Sequence, residues 1–335
     1  MKILVFGGTS FFGLQAAKAA FSAGHDVTVF SRRDPPEGFP LDIKFIKGDR
    51  SVEADLSRIT LKTWDAVFDN ICYTPQDAQK AVKKFSGKCG FYLMTSSEAV
   101  YYLIKDLSSP FRENHTEIFK ENIEMKKGGF WDYACGKYLS ERVFLKAFEE
   151  IKFPVSIVRP PIVIGPQDNT LRAYSYWIRI ADGYPFFAPG WSFLKRFAYS
   201  EDMSSWINAI IENPEKSIGE IFNLGDAETI SLGDFLKVSA EIMGKPLLGL
   251  PADFTWLKEN GFNLSASPYS SKRDYITDIE KAQKVFGFKS TPIRQWLEES
   301  IKWFFFKYTG SKPADYAGRS EEIKLCDKWI KEKNI

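Results

Sequence analysis

The segment Gly7-Gly8-Thr9-Ser10-Phe11-Phe12-Gly13 directly follows the apolar run Ile3–Phe6. It opens a stretch with helical spacing, in which Leu14, Ala17, Ala20 and Phe21 share a face before Gly24 ends it. Strand, glycines and helix in that order constrain the chain strongly. Glycine permits the tight turn and the close approach of backbone N–H groups to an anion, and the helix N-terminus favours negative charge. A dinucleotide pyrophosphate fits such a turn, with Gly7, Thr9, Ser10, Phe11, Phe12 and Gly13 as candidate contacts. A plain strand–helix connection is the alternative.

Further apolar runs follow at Asp26–Phe30, Ile43–Ile46, Ala66–Ile71, Phe91–Thr95 and Val155–Val158, with Ile162–Ile164 after two prolines. Helical stretches such as Pro75–Phe85 and Tyr133–Glu150 lie between them. Alternation of this kind predicts an α/β fold of the Rossmann type: a doubly wound parallel sheet with a smaller mixed C-terminal lobe. Beyond about Gly165 the pattern loosens into aromatic-rich loops. Strand signals remain at Phe197–Tyr199 and Ile221–Leu224, and helical ones at Ser204–Glu212, Leu232–Met243, Asp278–Phe286 and Thr291–Lys307. The expected boundaries are a nucleotide-binding domain at 1–165 with 197–225 returning to it, and a substrate lobe at 166–196 and 226–308. A charged surface tail ending in a short helix is expected at 309–335.

The 335 residues carry 45 Lys plus Arg against 43 Asp plus Glu. That balance argues against a partner held mainly by charge, nucleic acid included. No apolar run approaches the ~18 residues of a membrane span, so no membrane partner is expected. Four scattered cysteines without a CxxC, and only two histidines, disfavour a zinc site or a disulfide framework; no metal is expected. The opening apolar run is too short for a signal peptide, and the cytoplasm is the expected compartment.

The second strand ends in Val29-Phe30-Ser31-Arg32-Arg33, with no carboxylate until Asp34. A basic residue at that place accepts a ribose 2′-phosphate, whereas an acidic one binds the 2′-hydroxyl. Ser31 and Arg32 therefore favour NADP over NAD, unless the arginines simply decorate a solvated loop. Asp49, closing the third strand in Lys47-Gly48-Asp49-Arg50, is placed either to accept from an adenine amino group or to stabilise a turn.

Tyr133 and Lys137 stand four residues apart, so a helix would present both on one face. An ammonium near a phenol stabilises the phenolate and suits the tyrosine to general acid/base work. Ser97 lies just past the fifth strand, in Thr95-Ser96-Ser97-Glu98-Ala99-Val100-Tyr101, where α/β sheets place ligands; capping a turn is its other reading. His115 reads as an exposed loop residue, and Cys135 has no signal for a nucleophile.

Taken in order over roughly residues 1–305, these motifs resemble the extended short-chain dehydrogenase/reductases of the NAD-dependent epimerase/dehydratase superfamily. Arg159-Pro160-Pro161-Ile162-Val163-Ile164-Gly165-Pro166 belongs to the same resemblance. It implies Ser97, Tyr133 and Lys137 as a catalytic trio, with Tyr133 and Lys137 also touching the cofactor. Tyr133 would be the proton donor or acceptor, and Ser97 would hold the reacting oxygen. It further implies hydride transfer on a nucleotide-sugar-like substrate, with Lys195 and Arg196 either near its diphosphate or simply an exposed basic pair, and it is in keeping with a homodimer. Epimerase, dehydratase and reductase chemistries are left undivided. Ser10 stands where the family usually has glycine. The Gly-Gly-Thr form resembles a branch with chloroplast stem-loop-binding proteins and related bacterial reductases or epimerases. An altered member that binds RNA or senses NADP is therefore the competing expectation.

Overall fold

The computed structural model describes residues 1–118, 123 and 128–334. The chain divides into two compact units: Met1–Val163 with Ala198–Ala227 and Thr277–Ser290, and Ile164–Phe197 with Glu228–Ile276 and Thr291–Ile335.

The first unit is built on a parallel sheet. Its strands are β1 (Lys2–Phe6), β2 (Asp26–Ser31), β3 (Lys44–Lys47), β4 (Trp64–Asp69), β5 (Cys89–Thr95), β6 (Val155–Arg159) and the short strand Ile221–Asn223. Across the sheet the order is Ile221–Asn223, β6, β5, β4, β1, β2, β3, and each of these neighbouring pairs is parallel. The direction of winding therefore reverses between β1 and β4, the place where such sheets take ligands.

Alternation along the strands explains the layering. Ile3 and Val5 face one side with Val27, Val29, Ala66, Phe68 and Leu93. There they pack on α1 (Phe11–Ser22) and on helix Ser200–Glu212 through Ala17, Ala20, Met203, Ile207 and Ile210. Leu4 and Phe6 face the other side with Phe30, Val67, Tyr92 and Met94. That side is covered by α2 (Glu53–Ile59), α3 (Pro75–Phe85) and α4 (Gly129–Ile151). The inner strands are buried on both faces, which is why strands of parallel sheets read as continuous apolar runs, whereas β3 at the edge is only half-buried.

Two sequence boundaries change. Residues 277–290, expected in the substrate lobe, belong to the sheet unit because Ala282, Val285, Phe286 and Phe288 pack into its core. Lys281 adds hydrogen bonds to the Ile221 carbonyl and the Glu220 carboxylate, both at 2.7 Å.

The second unit is mainly helical. It contains helices Arg172–Asp182, Leu232–Met243, Ile293–Phe306 and Arg319–Lys333, with two-stranded ribbons pairing Phe186–Phe187 with Gly249–Leu250 and Leu194–Lys195 with Ile230–Ser231. Helix Arg172–Asp182 lies where the sequence suggested only loosened pattern; its buried stripe runs through Ala173, Tyr176, Trp177 and Ile180. The expected surface tail is corrected most. Helix Arg319–Lys333 is 15 residues long and sends Glu322, Cys326 and Trp329 into the core of its unit beside Phe187 and Leu257. Among the described residues, no helix is long and apolar enough to cross a membrane.

Candidate active site

The glycine turn leaves β1 at the reversal point. Gly7 adopts a left-handed conformation (φ +78°), and a Cβ there would lie 2.6 Å from Ile71 Cγ2. A Cβ on Gly13 would lie 2.5 Å from the Gly7 carbonyl oxygen, so the start of α1 can approach the turn only as glycine. Ser10 is the N-cap of α1, yet its side chain caps nothing, and the first turn carries no acidic residue. Phe11, the first helical residue, has φ 50°. The helix therefore offers its N-terminal amides and dipole without internal compensation, a cradle that fits a pyrophosphate.

Next to it, Thr9 Oγ1 and Ser31 Oγ are 3.1 Å apart. Ser31 Oγ also accepts the Arg33 N–H at 3.2 Å. Arg32 is largely solvated, with Nη1 3.4 Å from Asp49 Oδ2. Asp49 Oδ1 accepts both the N–H and the hydroxyl of Ser51 at 2.7 Å. Those Ser51 bonds, the backbone one foremost, hold the Asp49 carboxyl below its usual range, and Arg32 adds to the effect. Asp49 thus stabilises the turn and faces Arg32 at once.

Tyr133 and Lys137 lie in the first turns of α4, whose start is tied down by a bond from the Gly128 N–H to Asp132 Oδ2 at 2.7 Å. Their spacing places both on one face, as the sequence implied, with Lys137 Nζ 6.0 Å from the Tyr133 ring centroid. Tyr133 is 38% exposed and Lys137 only 1%. Lys137 donates to the Thr95 carbonyl at the end of β5, at 2.7 Å. Burial pushes the ammonium down to about 8; Arg50 adds to this, while Cys72, Asp69 and Glu141 oppose it. Such a lysine is still largely charged at neutral pH and sits close to a phenol.

Ser97 comes two residues after Thr95. Its Oγ accepts the Ala99 N–H at 3.2 Å and caps the 3₁₀ turn Glu98–Leu103. An accepted bond leaves the hydroxyl proton for another acceptor. Lys195 and Arg196 belong to the second unit. Lys195 is buried in its ribbon, so these two are not an exposed basic pair. His115 Nδ1 accepts the Arg112 N–H at 3.2 Å, a local turn contact.

Two buried polar networks support this edge of the sheet. Arg159 forks onto Glu141 at 2.9 and 2.7 Å and also donates to the Tyr101 hydroxyl, the Glu113 carbonyl and Thr116 Oγ1. Ser96 Oγ donates to Glu141 as well. Arg50 donates to Asp69 Oδ1 at 2.6 Å, and the Tyr92 hydroxyl donates to Asp69 Oδ2 at 2.6 Å. Sequence reasoning gave neither network a role. Glu141 stands four residues beyond Lys137 on α4, which is the signal that links it to the site.

Tyr73 was also missed. Its ring lies 4.5 Å from Lys137 Nζ and 6.3 Å from the Tyr133 ring. Phe130 and Tyr102 continue the aromatic edge, with centroids 6.1 Å from Tyr133 to Phe130 and 4.8 Å from Phe130 to Tyr102.

Fold and site together define an α/β protein of the Rossmann type with a Tyr–Lys pair near the carboxyl ends of its strands. The family profile described as the NAD dependent epimerase/dehydratase family matches residues 3–225, and the chain belongs to that family. Among curated proteins it is similar to the chloroplast stem-loop binding protein of 41 kDa b of Arabidopsis thaliana, at 22% identity over 98% of this chain and 85% of the relative. It also matches a UDP-D-apiose/UDP-D-xylose synthase of Oryza sativa subsp. japonica, at 25% identity over 62% of this chain and 53% of the relative. Among solved structures, a UDP-glucuronic acid 4-epimerase from Bacillus cereus, in complex with UDP-glucuronic acid and NAD, shares the fold. Its TM-score is 0.73 at 19% identity, covering 92% of this chain and 100% of that one.

Proposed function

We propose that the chain is an NAD(P)-dependent epimerase, dehydratase or reductase acting on a hydroxyl or carbonyl of a nucleotide-sugar-like substrate. The observation that carries the reading is the Tyr133–Lys137 pair on α4, with Lys137 buried and tied to the end of β5, beside an uncompensated helix N-terminus at the reversal point of the sheet. When bound, a nicotinamide ring supplies the site that accepts or gives the hydride. Gly7, Thr9, Ser10, Phe11, Phe12 and Gly13 hold the pyrophosphate. Ser31 and Arg32 take a 2′-phosphate, so NADP is preferred over NAD, and Asp49 faces the adenosine. Tyr133 Oη takes the proton from the substrate hydroxyl during oxidation and returns one during reduction. The Lys137 charge favours the phenolate. Ser97 donates its hydroxyl proton to the reacting oxygen and orients it.

Tyr133→Phe tests this directly. With a nicotinamide cofactor and UDP-glucuronic acid, UDP-glucose or dTDP-glucose as trial substrates, the variant is expected to lose roughly 10²-fold or more in turnover. Equal turnover on a substrate the parent protein converts would remove Tyr133 from the chemistry.

The resemblance to a stem-loop binding protein along nearly the whole chain favours a second reading, RNA binding on the same fold. The near-neutral charge weighs against it. A salt-dependent gel shift with structured RNA, in a protein that retains no nicotinamide cofactor in native mass spectrometry, would favour it.

A further inference from the structure

We propose that Tyr73 is a positioning residue of the Tyr133–Lys137 pair: its ring fixes the Lys137 ammonium and keeps it charged beside the phenol. The inference rests on the reading of Tyr133 as the acid/base.

The geometry begins with a glycine. A Cβ on Gly136 would lie 2.2 Å from the Tyr73 carbonyl oxygen, so α4 meets the loop after β4 backbone to backbone. The loop is fixed from its other end. Thr74 caps α3 by accepting the Asp77 N–H at 3.1 Å, and Asp77 Oδ2 accepts the Tyr73 N–H at 3.4 Å. Held this way, the Tyr73 ring lies nearer the Lys137 ammonium than the Tyr133 ring does, 4.5 against 6.0 Å.

The charged and titratable groups acting on Lys137 are Asp69, Cys72 and Arg50 from the strand ends and loops, and Glu141 from its own helix. Both carboxylates favour the charged form at a distance, but each is hydrogen-bonded to an arginine. Asp69 is engaged by Arg50 at 2.6 Å and Glu141 by Arg159 at 2.7 Å. Burial has raised the Cys72 thiol to about 12, so it is neutral. The groups in direct contact with the ammonium are the Thr95 carbonyl and the ring of Tyr73; the ring is half-exposed but the ammonium end is buried, and a cation over an aromatic face is stabilised more as water is excluded from the cation.

The test measures the Lys137 titration in the full-length, cofactor-free protein by NMR of ε-13C-labelled lysine, with the signal assigned from Lys137→Arg. Tyr73→Phe keeps the π face and is expected to titrate like the parent protein. Tyr73→Leu and Tyr73→Met keep an apolar neighbour without a ring, and are expected to lower the Lys137 value by about 0.5–1 pH unit. An unchanged or raised value in Tyr73→Leu and Tyr73→Met would overturn the proposal. So would an equal fall in Tyr73→Phe, which would assign the effect to the hydroxyl. No substrate or cofactor enters the measurement, so its outcome is independent of the Tyr133→Phe result.

Discussion

Lys137 is the residue at which burial and charge conflict most openly. In the unfolded chain its ammonium titrates near 10.5, and in the fold at about 8. Between those values the unfolded state binds the extra proton, so stability rises with pH across that window. Below about 8 both states are protonated and the fold carries the full cost of burial, on the order of 3 kcal/mol. Lys137→Met is therefore expected to raise Tm at pH 7, and the gain should fade between about pH 8 and 10.5. Thermal denaturation at stepped pH checks this, and a gain that grows with pH would contradict it. The proposed role of Lys137 beside Tyr133 would account for a lysine at so costly a position. Arg32 offers the contrasting case, exposed and, among the described residues, in ion-pair contact with Asp49 at 3.4 Å. If it takes the 2′-phosphate, Arg32→Ala weakens NADPH binding by roughly 10-fold or more and leaves NADH nearly unchanged. Fluorescence titration with both nucleotides decides it; equal weakening would assign the arginine elsewhere.

The elements of the first unit were readable to the extent that they are amphipathic or doubly buried. The seven sheet strands showed as apolar runs, and Pro75–Phe85 was bounded as it folds because Pro75 opens it and Thr74 caps it. Helix Arg172–Asp182 was missed although one of its faces is apolar. Leu171, left-handed at φ 56°, precedes it without a side-chain cap, so no start signal marks it in the sequence. Tyr73 escaped for a different reason. A lone loop tyrosine has no periodicity, and only the meeting of two backbones at Gly136 gives it a place in the site. That contact is testable as an element-scale property. Gly136→Ala places a methyl against the Tyr73 carbonyl and must push the loop off α4. A loss of about 1–3 kcal/mol is expected in urea denaturation, against the small gain that alanine brings to an unconstrained helix position. A more stable Gly136→Ala protein would show that the loop yields without cost.

At the scale of the molecule, composition was informative about class and silent about connection. The near balance of 45 basic and 43 acidic residues says nothing of where charges are spent. The second unit spends several inside. Arg179, 1% exposed, reaches Glu322 at 2.9 Å and Asp315 at 3.0 Å. Arg319 reaches Asp182 at 2.8 Å and Glu322 at 3.0 Å, and Glu322 Oε1 accepts the Phe187 N–H at 3.2 Å. A charged C-terminal segment reads as a surface tail because charge usually marks solvent, and a sequence cannot reveal that Glu322 answers Arg179 and Arg319 answers Asp182, each more than 100 positions away. This network joins helix Arg319–Lys333 to its unit alongside the apolar contacts of Cys326 and Trp329. Removing the Glu322 charge leaves each arginine one carboxylate where it had two, so the cost is that of weakened pairing inside the unit. Glu322→Gln keeps the shape and removes the charge facing both Arg179 and Arg319, which retain Asp315 and Asp182; it is expected to lower stability by about 1.5–3 kcal/mol in urea denaturation. Glu321→Gln, one position away and paired with exposed Lys324, is expected to change it by less than about 1 kcal/mol. Equal effects from the two would mean that the helix is held by Cys326 and Trp329 alone, and that the buried charges add nothing to the attachment.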